Sequence, residues 1–299
     1  MAISEDLKGV IGAAVTPVTT SFDIDTGRLR AHCETMLDQG CHMVSTFGTT
    51  GEGASFSVEQ KLSAMAEMKA AGLDMSRQVP GVIAASLDDA ARLVRGYADL
   101  GCRAALILPP FYYAYDAPGG LGDFFAAVIT RAGGPDIDVL LYNFPAFSGL
   151  LFTPERVQEV LDRLGDRVVG LKDSTGDLDA GRALVQAFPD LAIYTGDDRI
   201  LSRMVQAGGA GMIGGLPNVF PADCARLAGA SQDDPLQQIA SARITAVDAH
   251  GGLSVLKGLL ARLYDDPAFA RMVPPLRPVP AGTIDAIAAE LYSPEKESA

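Results

Sequence analysis

The sequence predicts a (β/α)8 barrel, the TIM-barrel architecture, followed by a helical C-terminal extension. Two observations carry that expectation. Short apolar or β-branched runs alternate with stretches of helical periodicity from near the N-terminus. Eight such units fit into about 220 of the 299 residues, a spacing that suits a parallel barrel better than an open sheet. A doubly wound sheet is the alternative. Against it, no GxGxxG follows the first strand, and Gly51-Glu52-Gly53 after the second lacks the acidic partner of a dinucleotide fingerprint.

The strands are expected over residues 9–16, 42–47, 81–85, 104–108, 138–143, 168–172, 192–195 and 211–214. Helices are expected over 26–39, 57–71, 88–100, 120–132, 153–163, 178–187, 199–207 and 222–230. Several helices carry start signals. Ser57 with Gln60 three residues on forms a capping box. Thr153-Pro154-Glu155 places a cap before a proline at the first helical position. Asp88 and Asp177 stand as caps or flanks of their helices. Residues 1–230 then form the barrel domain. Residues 231–299 form the extension, with helices over 235–248, 252–263 and 283–292 joined by turns such as Pro274-Pro275 and 278–280.

Composition bounds the function. The chain is 48% hydrophobic and 20% charged, enough to bury a substantial core. Its formal net charge is −13, with no basic patch to neutralise phosphates, so neither nucleic acid nor an anionic membrane surface is an expected partner. Cys33, Cys41, Cys102 and Cys224 show no CxxC pairing, and His32, His42 and His250 show no HExxH-like spacing. No metal site and no disulfide framework is therefore expected. The N-terminal MAISEDLKGV has neither a basic n-region nor an apolar h-region, and the longest uncharged run, 139–154, is too short to span a membrane. A cytoplasmic location is the expectation.

Lys172 is the most informative residue. It lies in the apolar run Val168-Val169-Gly170-Leu171-Lys172, where an unpaired ammonium costs several kcal/mol to desolvate. Desolvation favours the neutral amine, which can attack a carbonyl and form a Schiff base. The structural alternative is an exposed strand-end lysine paired with Asp173.

In a βα barrel the chemistry sits at the C-terminal strand ends. The second strand ends in Gly48-Thr49-Thr50-Gly51, the fourth in Pro109-Pro110-Phe111-Tyr112-Tyr113, and the fifth in Tyr142-Asn143-Phe144-Pro145. The seventh ends in Gly196-Asp197-Asp198, and the eighth runs Ile213-Gly214-Gly215. Thr49 and Thr50 among glycines suit a carboxylate. Gly51 and Gly214 let backbone approach a ligand. The Tyr142 phenol can move protons. With the Lys172 amine, the set describes a site for a 2-keto acid, in which an iminium supplies the electron sink without cofactor or metal. Each group alone has an ordinary structural reading: a βα-turn cap for Thr49-Thr50, a strand-end aromatic for Tyr142, a helix-dipole partner for Asp197, an interface pair for Tyr112-Tyr113. Their conjunction argues for a site.

GTTGE at 48–52, YNFP at 142–145 and GLKDSTGD at 170–177 resemble the dihydrodipicolinate synthase / N-acetylneuraminate lyase family, in order and spacing. The resemblance implies a pyruvate-dependent class I aldolase or lyase, commonly a homotetramer. It implies that Lys172 is the Schiff-base lysine and Tyr142 the catalytic tyrosine. Thr50 would hold the pyruvate carboxylate, with Thr49 relaying protons. Tyr112 would be lent across a dimer interface, and the Ile213 backbone would lie beside bound pyruvate. The departures concern specificity. The synthases carry an arginine two residues after the YNxP proline; here it is Phe147, and a phenyl ring cannot hold a carboxylate bidentately. The neuraminate lyases have an acidic pair where this chain has Asp198-Arg199, and a serine where it has Gly215. The expectation is an aldolase cleaving or forming a 2-keto acid, with 2-keto-3-deoxy sugar acids as candidates. A sugar-acid dehydratase, the lysine-biosynthetic synthase (against which Phe147 argues) and a non-catalytic keto-acid-binding protein are the alternatives.

Overall fold

A computed structural model describes residues 3–113, 117–230 and 234–292. Eight parallel strands form one sheet: β1 Gly9–Ala13, β2 Met43–Ser45, β3 Gly81–Val82, β4 Ala104–Ile107, β5 Asp138–Asn143, β6 Val168–Asp173, β7 Ala192–Thr195 and β8 Gly211–Gly214. Their order is β2-β1-β8-β7-β6-β5-β4-β3. The two ends of that order meet: Val79 N donates to Val44 O at 2.9 Å and Gly81 N to Thr46 O at 2.8 Å. The result is the expected (β/α)8 barrel.

β4 ends one residue earlier than expected, and three strands are each shorter by three residues, for local reasons. Ala14 N still donates to Ser45 O at 3.0 Å, but Val15 N donates instead to the Asn218 side chain at 2.9 Å. Past Ser45, Phe47 takes a left-handed φ of 56°, which breaks the extended path. The β3 ladder covers only Gly81 and Val82 before a turn to Ser86. The helices are α1 Thr26–Asp38, α2 Val58–Ala70, α3 Leu87–Leu100, α4 Gly120–Arg131, α5 Pro145–Ser148, α6 Pro154–Leu164, α7 Leu178–Ala187, α8 Leu201–Gln206 and α9 Pro221–Leu227. The Ser57–Gln60 capping box is formed, and Asp177 caps α7. Pro154 opens α6, but Thr153 makes no side-chain cap. Ser86, not Asp88, caps α3; Asp88 sits in its first turn. The short α5 was not expected.

Strand alternation divides the core in two. Leu106, Leu140, Tyr142, Tyr194 and Ile213 fill the barrel interior. Ala105, Ile107, Leu141, Leu171 and Met212 face the helices. Lys172 follows Leu171, so it has interior parity, and its Cα partner across the ladder is Tyr142. The bottom of the barrel is sealed by Leu7, whose carbonyl accepts from the Tyr194 hydroxyl.

Three more helices follow: α10 Pro235–Ala249, α11 Leu253–Leu263 and α12 Ala281–Leu291. The Gln237 side chain on α10 accepts from Ser202 N at 2.9 Å, and α11 sends Lys257 into the barrel mouth. The expected domain boundary between 230 and 231 abuts residues 231–233, which lie outside the described residues. Among the described residues no helix is long and apolar enough to cross a membrane.

Candidate active site

The C-terminal ends of the strands surround a cavity of about 710 Å3. Lys172 and Tyr142 reach it from adjacent strands, which the ladder register places side by side. Both side chains are buried, Lys172 to 6% and Tyr142 to 1% exposure, so the amine meets little water. Lys172 Nζ donates to Tyr142 Oη at 3.2 Å and lies 4.3 Å from the centre of the phenol ring. Tyr142 Oη is also 3.1 Å from Thr49 Oγ1. One hydroxyl thus links the amine to the loop after β2, a chain along which protons can pass. The exposed-lysine alternative does not hold, because Asp173 points the other way: it accepts from Asn143 Nδ2 at 2.9 Å and Thr175 Oγ1 at 3.0 Å. Desolvation, offset by these bonds, raises the Asp173 carboxyl above its ordinary range.

Space for the amine depends on Gly196. A Cβ there would stand 3.1 Å from Lys172 Cε and 2.1 Å from Ser174 Oγ, so any side chain would push the lysine aside. Thr50, Phe147, Asp197, Ile213 and Gly214 line the same cavity. Gly51 does not; it lies beneath the loop, its carbonyl accepting from Thr16 Oγ1 at 2.7 Å. Tyr112 is not on the wall either. It is 77% exposed and packs edge-on against Tyr113 at 5.0 Å. Asp197 lines the cavity, but its Oδ1 accepts from Arg199 Nη1 at 3.0 Å.

Several wall residues had no role assigned to them from the sequence, although Phe144 and Asp198 were placed at strand ends. Phe144 packs on Tyr142 at 5.8 Å and against Phe147 at 4.7 Å. Asp198 is buried to 4% and its Oδ1 has no partner among the described residues. Burial, with Asp197 adding repulsion, pushes its pKa up to about 7. The extension supplies Ile244, Val247, Leu253 and Leu256. Glu52, which also lines the cavity, has a left-handed φ of 53° and pairs with Lys257 at 2.6 Å, both side chains fully buried. Lys257 was legible by the argument used for Lys172, a single cation in the apolar run Leu253-Ser254-Val255-Leu256-Lys257. Ile244 and Val247 carried no signal, because residues that face a cavity and residues that face a core look alike in a helical pattern.

The profile of the Dihydrodipicolinate synthetase family matches residues 6–250. The chain belongs to this family. Its enzymes are lyases and aldolases, and so is this one. An uncharacterized DapA-like lyase of Chloroflexus aurantiacus is 34% identical over 72% of this chain and 71% of that one. A 4-hydroxy-tetrahydrodipicolinate synthase of Alcanivorax borkumensis is 32% identical over 74% of each. The crystal structure of dihydrodipicolinate synthase from Agrobacterium tumefaciens superposes with a TM-score of 0.89 at 29% identity, covering 95% of this chain and 99% of that one.

Proposed function

We propose that the chain is a Schiff-base aldolase or lyase that cleaves a 4-hydroxy-2-keto acid to pyruvate and an aldehyde, or runs the reverse. The observation that carries this reading is the hydrogen-bonded chain Lys172 Nζ, Tyr142 Oη, Thr49 Oγ1 inside a cavity at the strand ends. The Lys172 amine attacks the keto carbon, and loss of water from the carbinolamine leaves an iminium. Tyr142, within reach of the amine, delivers and removes the protons of that step. In cleavage the C4 hydroxyl gives up its proton, the C3–C4 bond breaks, and its electron pair moves to the iminium nitrogen as an enamine. The aldehyde departs, the enamine is protonated at C3, and water returns the lysine and releases pyruvate. The nitrogen of Lys172 is the electron sink, so this reading requires no cofactor and no metal. Thr50, on the wall beside Gly215, holds the keto-acid carboxylate. We further propose a tetramer in which Tyr112 completes the site of a second copy; its exposure beside Tyr113 supports this.

Borohydride reduction in the presence of pyruvate tests the chemistry. The expected result is a pyruvate-derived mass on the peptide containing Lys172, absent in Lys172→Ala, which also loses turnover. Tyr142→Phe lowers kcat by ~10²-fold or more. Near-normal turnover in Lys172→Ala would sink the mechanism and leave a keto-acid-binding protein as the better reading.

A further inference from the structure

The part of the cavity that receives the aldehyde half of the substrate has a chemistry of its own. On one side, Phe144 stacks on the catalytic phenol and Phe147 packs edge-on against Phe144, so an aromatic surface runs outward from Tyr142. Phe147 is 61% exposed and keeps most of its ring free for contact. On another side, the extension contributes Ile244, Val247, Leu253 and Leu276. These residues bring no hydrogen-bonding side chain.

Both cations on the wall already make hydrogen bonds within the chain. Lys172 and Arg199 are the cations among the described lining residues. Each nitrogen of the Arg199 guanidinium makes a hydrogen bond: Nη1 donates to Asp197 Oδ1 at 3.0 Å, Nη2 to Asp248, and Nε to Thr245 Oγ1 at 3.3 Å. Two aspartates around one arginine leave a negative balance, so a second carboxylate on the substrate would meet repulsion. A polyol would need a ladder of partners. The hydroxyls on the wall are those of Thr49, Thr50, Ser55, Ser174 and Thr175, in the loops after β2 and β6. Of the buried polar atoms without a partner among the described residues, only Asp198 Oδ1 is on this wall, 3.1 Å from where a Cβ on Gly214 would sit. Against a polyol's run of hydroxyls the wall sets mainly carbon, in Phe144, Phe147, Ile244, Val247, Leu253 and Leu276.

Resting on the iminium reading above, we propose that the aldehyde half of the substrate is apolar, an aromatic or branched aliphatic group, and is neither a sugar chain nor a carboxylated one. Phe144 and Phe147 would form its stacking surface, with Ile244, Val247 and Leu253 opposite as an aliphatic surface. Bond making is then the aldol addition already described: the enamine carbon attacks the aldehyde carbon, and the aldehyde oxygen takes up a proton.

The test is a panel of aldehydes with pyruvate, read as kcat/KM and by product mass: benzaldehyde, isobutyraldehyde, D-glyceraldehyde and succinic semialdehyde. Borohydride trapping with pyruvate alone runs in parallel. Benzaldehyde or isobutyraldehyde is expected to exceed both polar aldehydes by at least about tenfold, the discrimination that burying a few apolar carbons supplies. In Phe147→Arg the preference moves toward succinic semialdehyde by about tenfold relative to benzaldehyde. Equal or better turnover of glyceraldehyde or the semialdehyde by the unaltered protein overturns the proposal while leaving the iminium standing. A trapped adduct with no aldehyde consumed counts against it as well. Absence of the pyruvate adduct would instead remove the reading on which it rests.

Discussion

Burial raises the pKa of Asp198 to about 7, so near neutral pH the carboxyl stands between its two forms. The folded chain holds this proton more tightly than the unfolded chain, whose aspartate titrates near the ordinary value of 3.8. The stability it brings is full below about pH 4 and is lost as pH rises through about 7. Asp198→Asn stays neutral at every pH. Relative to wild type, the variant is expected to gain roughly 2 kcal/mol of stability between pH 5 and pH 8, read from urea unfolding at both. Parallel pH dependence in the two proteins would show that Asp198 is not buried as described. The same residue illustrates a boundary on sequence reading. Asp197-Asp198 was visible as an acidic pair, but a helix-start aspartate and a buried one have the same letter. Which of the two turns inward was decided by the turn after β7, where Arg199 takes Asp197.

At the scale of elements, the loop after β2 and helix α11 are joined through one buried ion pair. Lys257 Nζ donates to Glu52 Oε2 at 2.6 Å and to Thr16 O at 2.9 Å, while Glu52 Oε1 accepts from Val273 N at 2.9 Å. A buried pair is weak evidence for net stability, because desolvation offsets the Coulomb attraction. Its consequence here is geometric. It fixes Glu52 directly after Thr49-Thr50-Gly51 and so ties the loop that carries the site hydroxyls to the extension. Lys257→Met strands a buried carboxylate and is expected to cost ~3–5 kcal/mol in urea unfolding. Lys257→Met with Glu52→Gln removes both charges and should cost clearly less. Equal losses would mean that packing, not charge, dominates the contact. GTTGE marked the glutamate in the sequence, but its partner lies 205 positions away and no local pattern connects them.

For the whole molecule, the question is how many copies make a complete site. Tyr112 and Tyr113 are 77% and 80% exposed, a large aromatic surface to leave in water. Light scattering on the purified chain is expected to give four times its 31.3 kDa mass. A monomer would remove the proposed role of Tyr112 at a neighbouring site.

Periodicity and local chemistry alone determined the barrel and most of its element boundaries, and marked the lysine, tyrosine and threonines of the candidate site. Those features depend on strand alternation, caps and strand-end position, which a chain writes locally. Lys172 and Tyr142 were expected at neighbouring strand ends because a parallel barrel puts every strand end on one face, and the register brought them within hydrogen-bond distance. Only the tertiary structure decided the rest: Gly51 beneath the loop instead of on the wall, Arg199 neutralised between two aspartates, and the extension closing the aldehyde side with Ile244, Val247 and Leu253. Each of these depends on contacts between segments far apart in the chain, and a sequence carries no local signal of which distant surfaces its side chains will meet.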